Sequence, residues 1–296
     1  MSFQHDIIAA TQAFNANLHK LAQQEVSKLM DTVRNESMTT KSEFFDRVGG
    51  IRMLPRTSRH QDTAFTPLPF SRRRVDILDY EVGDIIDENE DVRKALVNPK
   101  SATLQRFAEA GKINIDATII KGLLNDAVAT DSEFTVSNVA LPGSQEIVDG
   151  GSNMTVNKIK DAVEILGQAD VDLAIDRPYL ALTYSQYRSL LSESEFINKD
   201  FKLTSAEKLG PAMVSEILGV DIRLVTQEVL PKAGDIRTAV MYTKNAGILG
   251  VNNMFSAKVL EDPTKGGSLR VIGKQNIGAV RMEEARVVKI QCDETV

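Results

Sequence analysis

The stretch from Asn98 to Thr130 (NPKSATLQRFAEAGKINIDATIIKGLLNDAVAT) constrains the fold most. Asn98 is a good helix N-cap, and Pro99 suits the first helical position, where a missing N–H costs nothing. No further proline occurs until Pro142, and apolar residues recur at helical spacing. Leu104, Phe107, Ala108, Gly111, Ile115 and Ile119 fall on one face, and Ile113, Ala117, Ile120, Leu124 and Ala127 on the opposite one. A helix apolar on two sides must be covered on two sides, so it lies between other elements. Unbroken, it would span roughly 45 Å at about 1.5 Å per residue. The alternative is an ordinary core helix that breaks at Gly111, because interior glycine costs about 1 kcal/mol against alanine.

The chain of 296 residues, 42% hydrophobic and 26% charged, has the makings of a globular protein with two domains or subdomains. A formal charge of −6 argues against a dedicated nucleic-acid binder. Cys292 is the only cysteine, so the fold needs no intramolecular disulfide. No basic-then-apolar leader is evident at the N-terminus, and no apolar run approaches membrane-spanning length. A soluble, intracellular protein is expected.

Before the central helix, residues 3–34 read as an amphipathic helix with Phe3, Ile7, Phe14, Leu18, Leu21, Leu29 and Val33 as its stripe. Such a helix is either core or an arm on a neighbouring subunit. Thr40 and Glu43 match a capping box for a short helix ended by Gly49-Gly50. From Ile51 to Arg74, Arg52, Arg56, Arg59, Arg72, Arg73 and Arg74 face a single acid, Asp62, while Pro55, Pro67 and Pro69 exclude a long helix. An extended loop or two-stranded ribbon is predicted. From Asp76 to Asp91 the sign reverses, with eight acids including Asp84, Asp87 and Glu88 and no lysine or arginine. Blocks of opposite sign either pair within a chain or between copies, or form solvated faces.

After the helix, Phe134–Val148 reads as an exposed hairpin and Gly150-Gly151 as a hinge. An α/β pattern follows. A helix capped by Thr155 runs to Leu166, a strand covers Tyr179–Thr183, and a helix runs from Ser185 to Leu191. A second capping box lies at Thr204 and Glu207, and strands cover Val220–Thr226 and Arg237–Thr243. The tail reads as strands at Lys258–Glu261, Leu269–Lys274, Gly278–Met282 and Arg286–Gln291, candidates to cover the central helix.

Signatures of chemistry are missing: no phosphate loop, no Gly-x-Gly-x-x-Gly, no His-Glu-x-x-His and no Gly-x-Ser-x-Gly. His5, His19 and His60 lie in the arm or loop, and Cys292 has no histidine near it in sequence. The run from Asp87 to Asp91 lacks the glycine and terminal glutamate of a calcium loop. No catalytic, cofactor or metal site is expected.

The order of these parts resembles the major capsid proteins of tailed bacteriophages, in the form found in many short-tailed phages. The likeness is carried by Arg59-His60-Gln61-Asp62-Thr63, Ser71-Arg72-Arg73-Arg74, Tyr80, Gly83, Asp87 and Asp91. It continues through Asn98-Pro99-Lys100-Ser101 and the helix to Thr130, then Tyr179–Leu191 (YLALTYSQYRSLL) and Leu218–Ile222. The resemblance implies an α+β fold with an N-terminal arm (1–50) and an extended loop (51–80). It also implies a discontinuous peripheral domain (81–152 and 246–296, spine helix about 99–129) and an apical α/β domain (153–245). It implies a non-enzymatic shell protein that assembles with itself into hexamers and pentamers of an icosahedral virion capsid in the host bacterial cytoplasm. Portal and scaffolding proteins, and packaged double-stranded DNA held without sequence specificity, are its implied partners; no membrane is involved. No cross-linking pair is matched, so no self-ligation is expected. Arg52, Arg56, Arg59, Arg72, Arg73, Arg74, Asp84, Asp87 and Glu88 are the candidate inter-subunit contacts. The alternatives are a cargo-enclosing nanocompartment shell of the same fold, or an enzyme with a pocket in its α/β domain.

Overall fold

The computed structural model describes residues 24–59, 62, 65, 67–86, 99–130, 135–193, 216–262, 264 and 268–295. The chain divides into two compact units. One holds residues 1–27, 78–115 and 253–277, the other residues 28–77, 116–252 and 278–296.

The central helix, α1 (Pro99–Leu124), is one unbroken element of 26 residues, about 39 Å long at 1.5 Å per residue. Gly111 does not break it. A β-carbon there would lie 3.3 Å from the Phe255 ring, so the glycine admits an aromatic wedge. The helix ends earlier than the sequence pattern indicates. The Asn125 N–H still bonds Lys121 O, but Asn125 and Asp126 are exposed and Ala127–Thr130 forms strand β5. The cap Asn98 lies outside the described residues.

In the first unit, α1 contributes Pro99–Ile115 and lies with two strands. Strand β4 (Leu78–Ile86) runs antiparallel to β14 (Ser268–Arg281), pairing Leu78 with Ile277 and Ile86 with Leu269. Gln275 on β14 is buried, and its side chain accepts from Asn114 at 2.9 Å and donates to Gly111 O at 3.1 Å. The tail strands thus cover the helix here, as expected. They are longer than the sequence reading: Lys258–Glu261 is part of β13 (Gly247–Asp262), and the two segments at 269–274 and 278–282 merge into β14.

In the second unit, the remaining turns of α1 are enclosed on both sides. Ile119, Ile120 and Leu123 are all buried. Val33, Gly247, Ile248, Ala279 and Val280 surround Ile119 and Leu123. Asp116 is fully buried on the same helix, and its carboxylate accepts from the backbone N–H groups of Lys28 and Leu29 at 3.0–3.1 Å. Those bonds hold the chain at 28–29 out of helical geometry. Leu29 and Val33 are buried as the apolar stripe predicts, but a 3-10 turn (Met30–Thr32) and strand β1 (Arg34–Ser37) replace the end of the expected helix. Residues 3–23 of that helix lie outside the described residues. β1 runs parallel to the start of β13.

The short helix expected after Thr40 is instead strand β2 (Ser42–Val48). The capping chemistry is present in another role: the Glu43 carboxylate accepts from the N–H groups of Thr39 and Thr40 at 2.8 and 3.2 Å, closing the turn that enters the strand. β2 pairs with β3 (Phe70–Asp76), β3 with β5, and β5 with β6 (Val136–Val139), giving an antiparallel sheet in the order β2-β3-β5-β6. The expected hairpin at 134–148 does not form, because β6 turns back onto β5 while β7 (Glu146–Ile147) joins a different sheet.

The α/β part follows the sequence closely. Gly150 and Gly151 both have positive φ, +57° and +64°, where a β-carbon would be strained. Thr155 accepts from Lys158 N and caps α2 (Val156–Gln168). Strand β8 (Pro178–Leu182) leads into α3 (Tyr184–Leu191), whose start is a capping box between Thr183 and Gln186. The expected capping box at Thr204 and Glu207 lies outside the described residues. Strands β9 (Glu216–Ile217) and β10 (Val220–Leu224) are joined by Leu218 and Gly219, both at positive φ. With β11 (Lys232–Ala233), β12 (Ile236–Thr243) and β15 (Val287–Asp293) they complete a sheet in the order β7-β15-β12-β8-β10-β9, β11 pairing β12. Met154, Ile159, Leu166, Leu180, Leu182, Leu190, Met241 and Ile290 form its core.

Candidate inter-subunit surface

The β2–β3 ribbon carries the arginine triplet. Its register pairs Phe44 with Arg74, Phe45 with Arg73, Asp46 with Arg72 and Val48 with Phe70. Alternation sends Phe44, Asp46, Val48, Phe70, Arg72 and Arg74 to one face and Phe45, Arg47 and Arg73 to the other. On the outer face Arg72 meets Asp46 at 2.6 Å and Arg74 meets Asp76 at 3.0 Å. Both pairs are partly exposed, so each contributes about 0–1 kcal/mol. Arg73 differs. Its side chain is 1% exposed and is bound to Glu284 at 2.5 Å, inside the subunit. Burial pulls its pKa down, which the Glu284 carboxylate opposes.

Beyond the ribbon, Gly49 N–H donates to Pro69 O at 2.8 Å, and residues 50–69 leave the sheet without strand pairing among the described residues. The connection exposes apolar side chains: Met53 completely, Phe65 to 92% and Leu54 to 66%. Soluble monomers seldom expose such a run. Arg52 forms an exposed pair with Asp170 at 3.1 Å. The Arg56 guanidinium donates to the carbonyls of Ser58 and Arg59. Arg59 itself is exposed.

Of the acidic block, Asp84 is exposed on β4 and accepts from Ile85 N–H, while Glu81 pairs with Lys274 at 2.6 Å. Asp87 and Glu88 lie outside the described residues. The structure therefore joins Arg72, Arg73 and Arg74 in one ribbon and sets the loop arginines apart from them. Sequence reasoning missed Arg47, Arg281 and Glu284, which gather around Arg73. Only spacing of more than 200 residues links Arg73 to Glu284, and no local pattern marks it.

Among the described residues no three His, Cys, Asp or Glu side chains come together as metal ligands. Cys292 is buried, and burial pushes its thiol up to about 12, so it is not a thiolate at neutral pH. The nearby Lys158 ammonium donates to the carbonyls of Ser152, Asn153 and Gln291, tying the start of α2 to β15. A half-open hollow of about 240 Å³ lies in the first unit, walled by Phe107, Gly111, Phe255 and Gln275 among others. No described helix is long and apolar enough to cross a membrane.

A family model for phage capsid protein matches residues 7–294. The chain belongs to the phage capsid protein family. As a capsid protein it is a structural component of the virion. Solved structures share its fold at low identity. The capsid of Ralstonia phage GP4 is 11% identical, with 94% of each chain covered and a TM-score of 0.70. The structure of Mycobacterium phage Che8 is 14% identical over 95% of each chain, with a TM-score of 0.67. The capsid of cyanophage P-SCSP1u is 14% identical over 93% of this chain and 90% of the other, with a TM-score of 0.65. No curated protein matches the sequence. The α+β architecture of the capsid protein is that of the phage major-capsid fold.

Proposed function

We propose that this capsid protein is the repeated, non-enzymatic subunit of an icosahedral tailed-phage shell, built from hexamers and pentamers and enclosing packaged double-stranded DNA. The observation that carries this reading is the connection between β2 and β3. Within one segment of chain it carries the bare apolar side chains Met53, Leu54 and Phe65 together with Arg52, Arg56 and Arg59, a combination of the kind that protein interfaces cover. In the assembled shell, residues 51–69 are the extended loop and 81–145 with 246–286 the peripheral domain, while 153–245 form the apical domain together with β7 and β15, which share its sheet. The loop lies on a neighbouring copy, and its arginines, with Arg72 and Arg74, meet carboxylates there, Asp84, Asp87 and Glu88 being candidates. Assembly takes place in the host cytoplasm, with portal and scaffolding proteins as partners.

The test replaces residues 54–66 by a short Gly-Ser linker in the expressed protein. Electron microscopy and sedimentation should find closed particles for the natural chain and soluble, folded, unassembled subunits for the variant. Normal particles from the variant would remove the loop from the assembly contact. Nuclease-protected DNA in particles from infected cells separates a virion shell from a protein-filled compartment.

A further inference from the structure

The hollow of the first unit is walled by Tyr80 and Val82 of β4, Phe107 and Ala110 of α1 and Phe255 of β13, all of them half-buried, around a volume of about 240 Å³. Glycine keeps it open. A β-carbon on Gly273 of β14 would meet Val82 and Phe255 at 3.0 and 3.1 Å. The polar groups of the lining are already matched: Asn114 donates to Gln275, Gln275 donates to Gly111 O, and Lys274 pairs with Glu81. What the hollow lacks is an apolar occupant. Its volume falls below the roughly 300–1,000 Å³ of a small-molecule pocket, on the scale of a single anchoring side chain.

The same chain displays such a side chain bare. Met53 is completely exposed in the connection between β2 and β3. Methionine is unbranched and flexible, and its sulfur packs well against aromatic rings, of which the hollow offers Tyr80, Phe107 and Phe255. The charges agree. Strand alternation sets Asp84 on the same face as Tyr80 and Val82, about 7 Å beyond Val82, and Asp84 is exposed. Arg52 directly precedes Met53, and its contact with Asp170 is an exposed pair that is easily exchanged.

We propose that the hollow between α1 and strands β4, β13 and β14 is the seat for Met53 of a second copy of this chain, with Arg52 of that copy set against Asp84. This rests on the reading of the protein as a shell subunit and names the surface that receives the neighbour. Knob and hollow are different parts of the chain, so each copy receives one neighbour while anchoring on another. That is the head-to-tail contact from which rings are built.

Cross-linking between copies tests the seat. Full-length Met53→Cys and Ala110→Cys chains are co-expressed, and the particles are treated with a short bis-maleimide; Cys292 is buried and does not react. Covalent dimers holding one copy of each variant are expected, and particles of either variant alone should give none. Well-formed mixed particles without that dimer would overturn the seat and leave the shell reading standing. A link found only within a chain carrying both cysteines would overturn it as well, by placing the loop on its own subunit. If the natural chain forms no particles, the shell reading falls and the seat with it. Should the cysteine variants not assemble, Ala110→Leu decides, since it narrows the hollow from a helix position that suits leucine. Its urea unfolding should match that of the natural subunit, while the protein concentration needed for assembly rises at least tenfold. Assembly at an unchanged concentration would overturn the seat.

Discussion

Gly122 of the central helix lies against Ala279 of β14 so closely that a β-carbon on residue 122 would sit 2.6 Å from the Ala279 carbonyl carbon and 2.6 Å from its β-carbon. Two opposing effects meet at this position. Gly→Ala inside a helix ordinarily gains about 1 kcal/mol. Here the obstructing atoms are backbone on a central strand, which has little freedom to retreat, and overpacking costs about 1–3 kcal/mol. The clash should win. Gly122→Ala is expected to lower the stability of the unassembled subunit, measured by urea unfolding, and a stabilised variant would mean that helix and strand are farther apart.

The arginine triplet separates folding from assembly. Arg72 and Arg74 lie on the outer face of the ribbon and Arg73 on the inner. Arg72→Glu with Arg74→Glu should leave subunit unfolding within about 2 kcal/mol of the natural chain while blocking assembly at low salt. Arg73→Glu would set a second carboxylate against Glu284 inside the fold. Breaking a buried pair costs about 3–5 kcal/mol, so this single change should destabilise the subunit itself. Ribbon alternation alone suggests a milder effect for Arg73, and its burial reverses that ranking. Soluble, fully stable Arg73→Glu protein would contradict the inward placement.

Acid should loosen the entry to the ribbon through Glu43. The backbone N–H groups of Thr39 and Thr40 hold its carboxyl below the usual carboxylate range. A group whose folded pKa is lowered contributes stability above its unfolded value, about 4.3, and loses it as pH falls through the folded value. Glu43→Gln should therefore be less stable than the natural chain near neutral pH. The gap should close as acid titrates the natural glutamate. A gap unchanged from about pH 7 to pH 3 would remove the carboxylate from this role.

These outcomes depend on features of unequal visibility in the sequence. The α/β part is legible because its signals are local: Thr155 sits immediately before its helix, and Tyr179–Leu182 is an unbroken apolar strand, although the next helix is capped by Thr183, which the pattern assigns to the strand. The two-faced pattern through Ile119 and Ile120 likewise announced a helix covered from both sides. Where the reading failed, a distant partner overrode local chemistry. Thr40 and Glu43 match a helix cap, but pairing of residues 42–48 with the arginine strand makes that segment β. Leu29 and Val33 keep helical spacing, yet Asp116, 87 residues away from Leu29 in sequence, captures the backbone at 28–29. The Arg73–Glu284 contact was invisible for the same reason, since neither residue carries a neighbour that signals the other. Exposed loop arginines were easy to find because charge runs are local, whereas their inter-subunit role depends on copies of the chain.

Image reconstruction of particles assembled from the purified full-length protein is therefore the most direct test. The account predicts closed icosahedral shells in which residues 50–69 of each subunit, with Met53 and Phe65, are buried against a neighbouring copy. A protein that stays monomeric under assembly conditions, or shells in which that segment remains solvent-exposed, would contradict it.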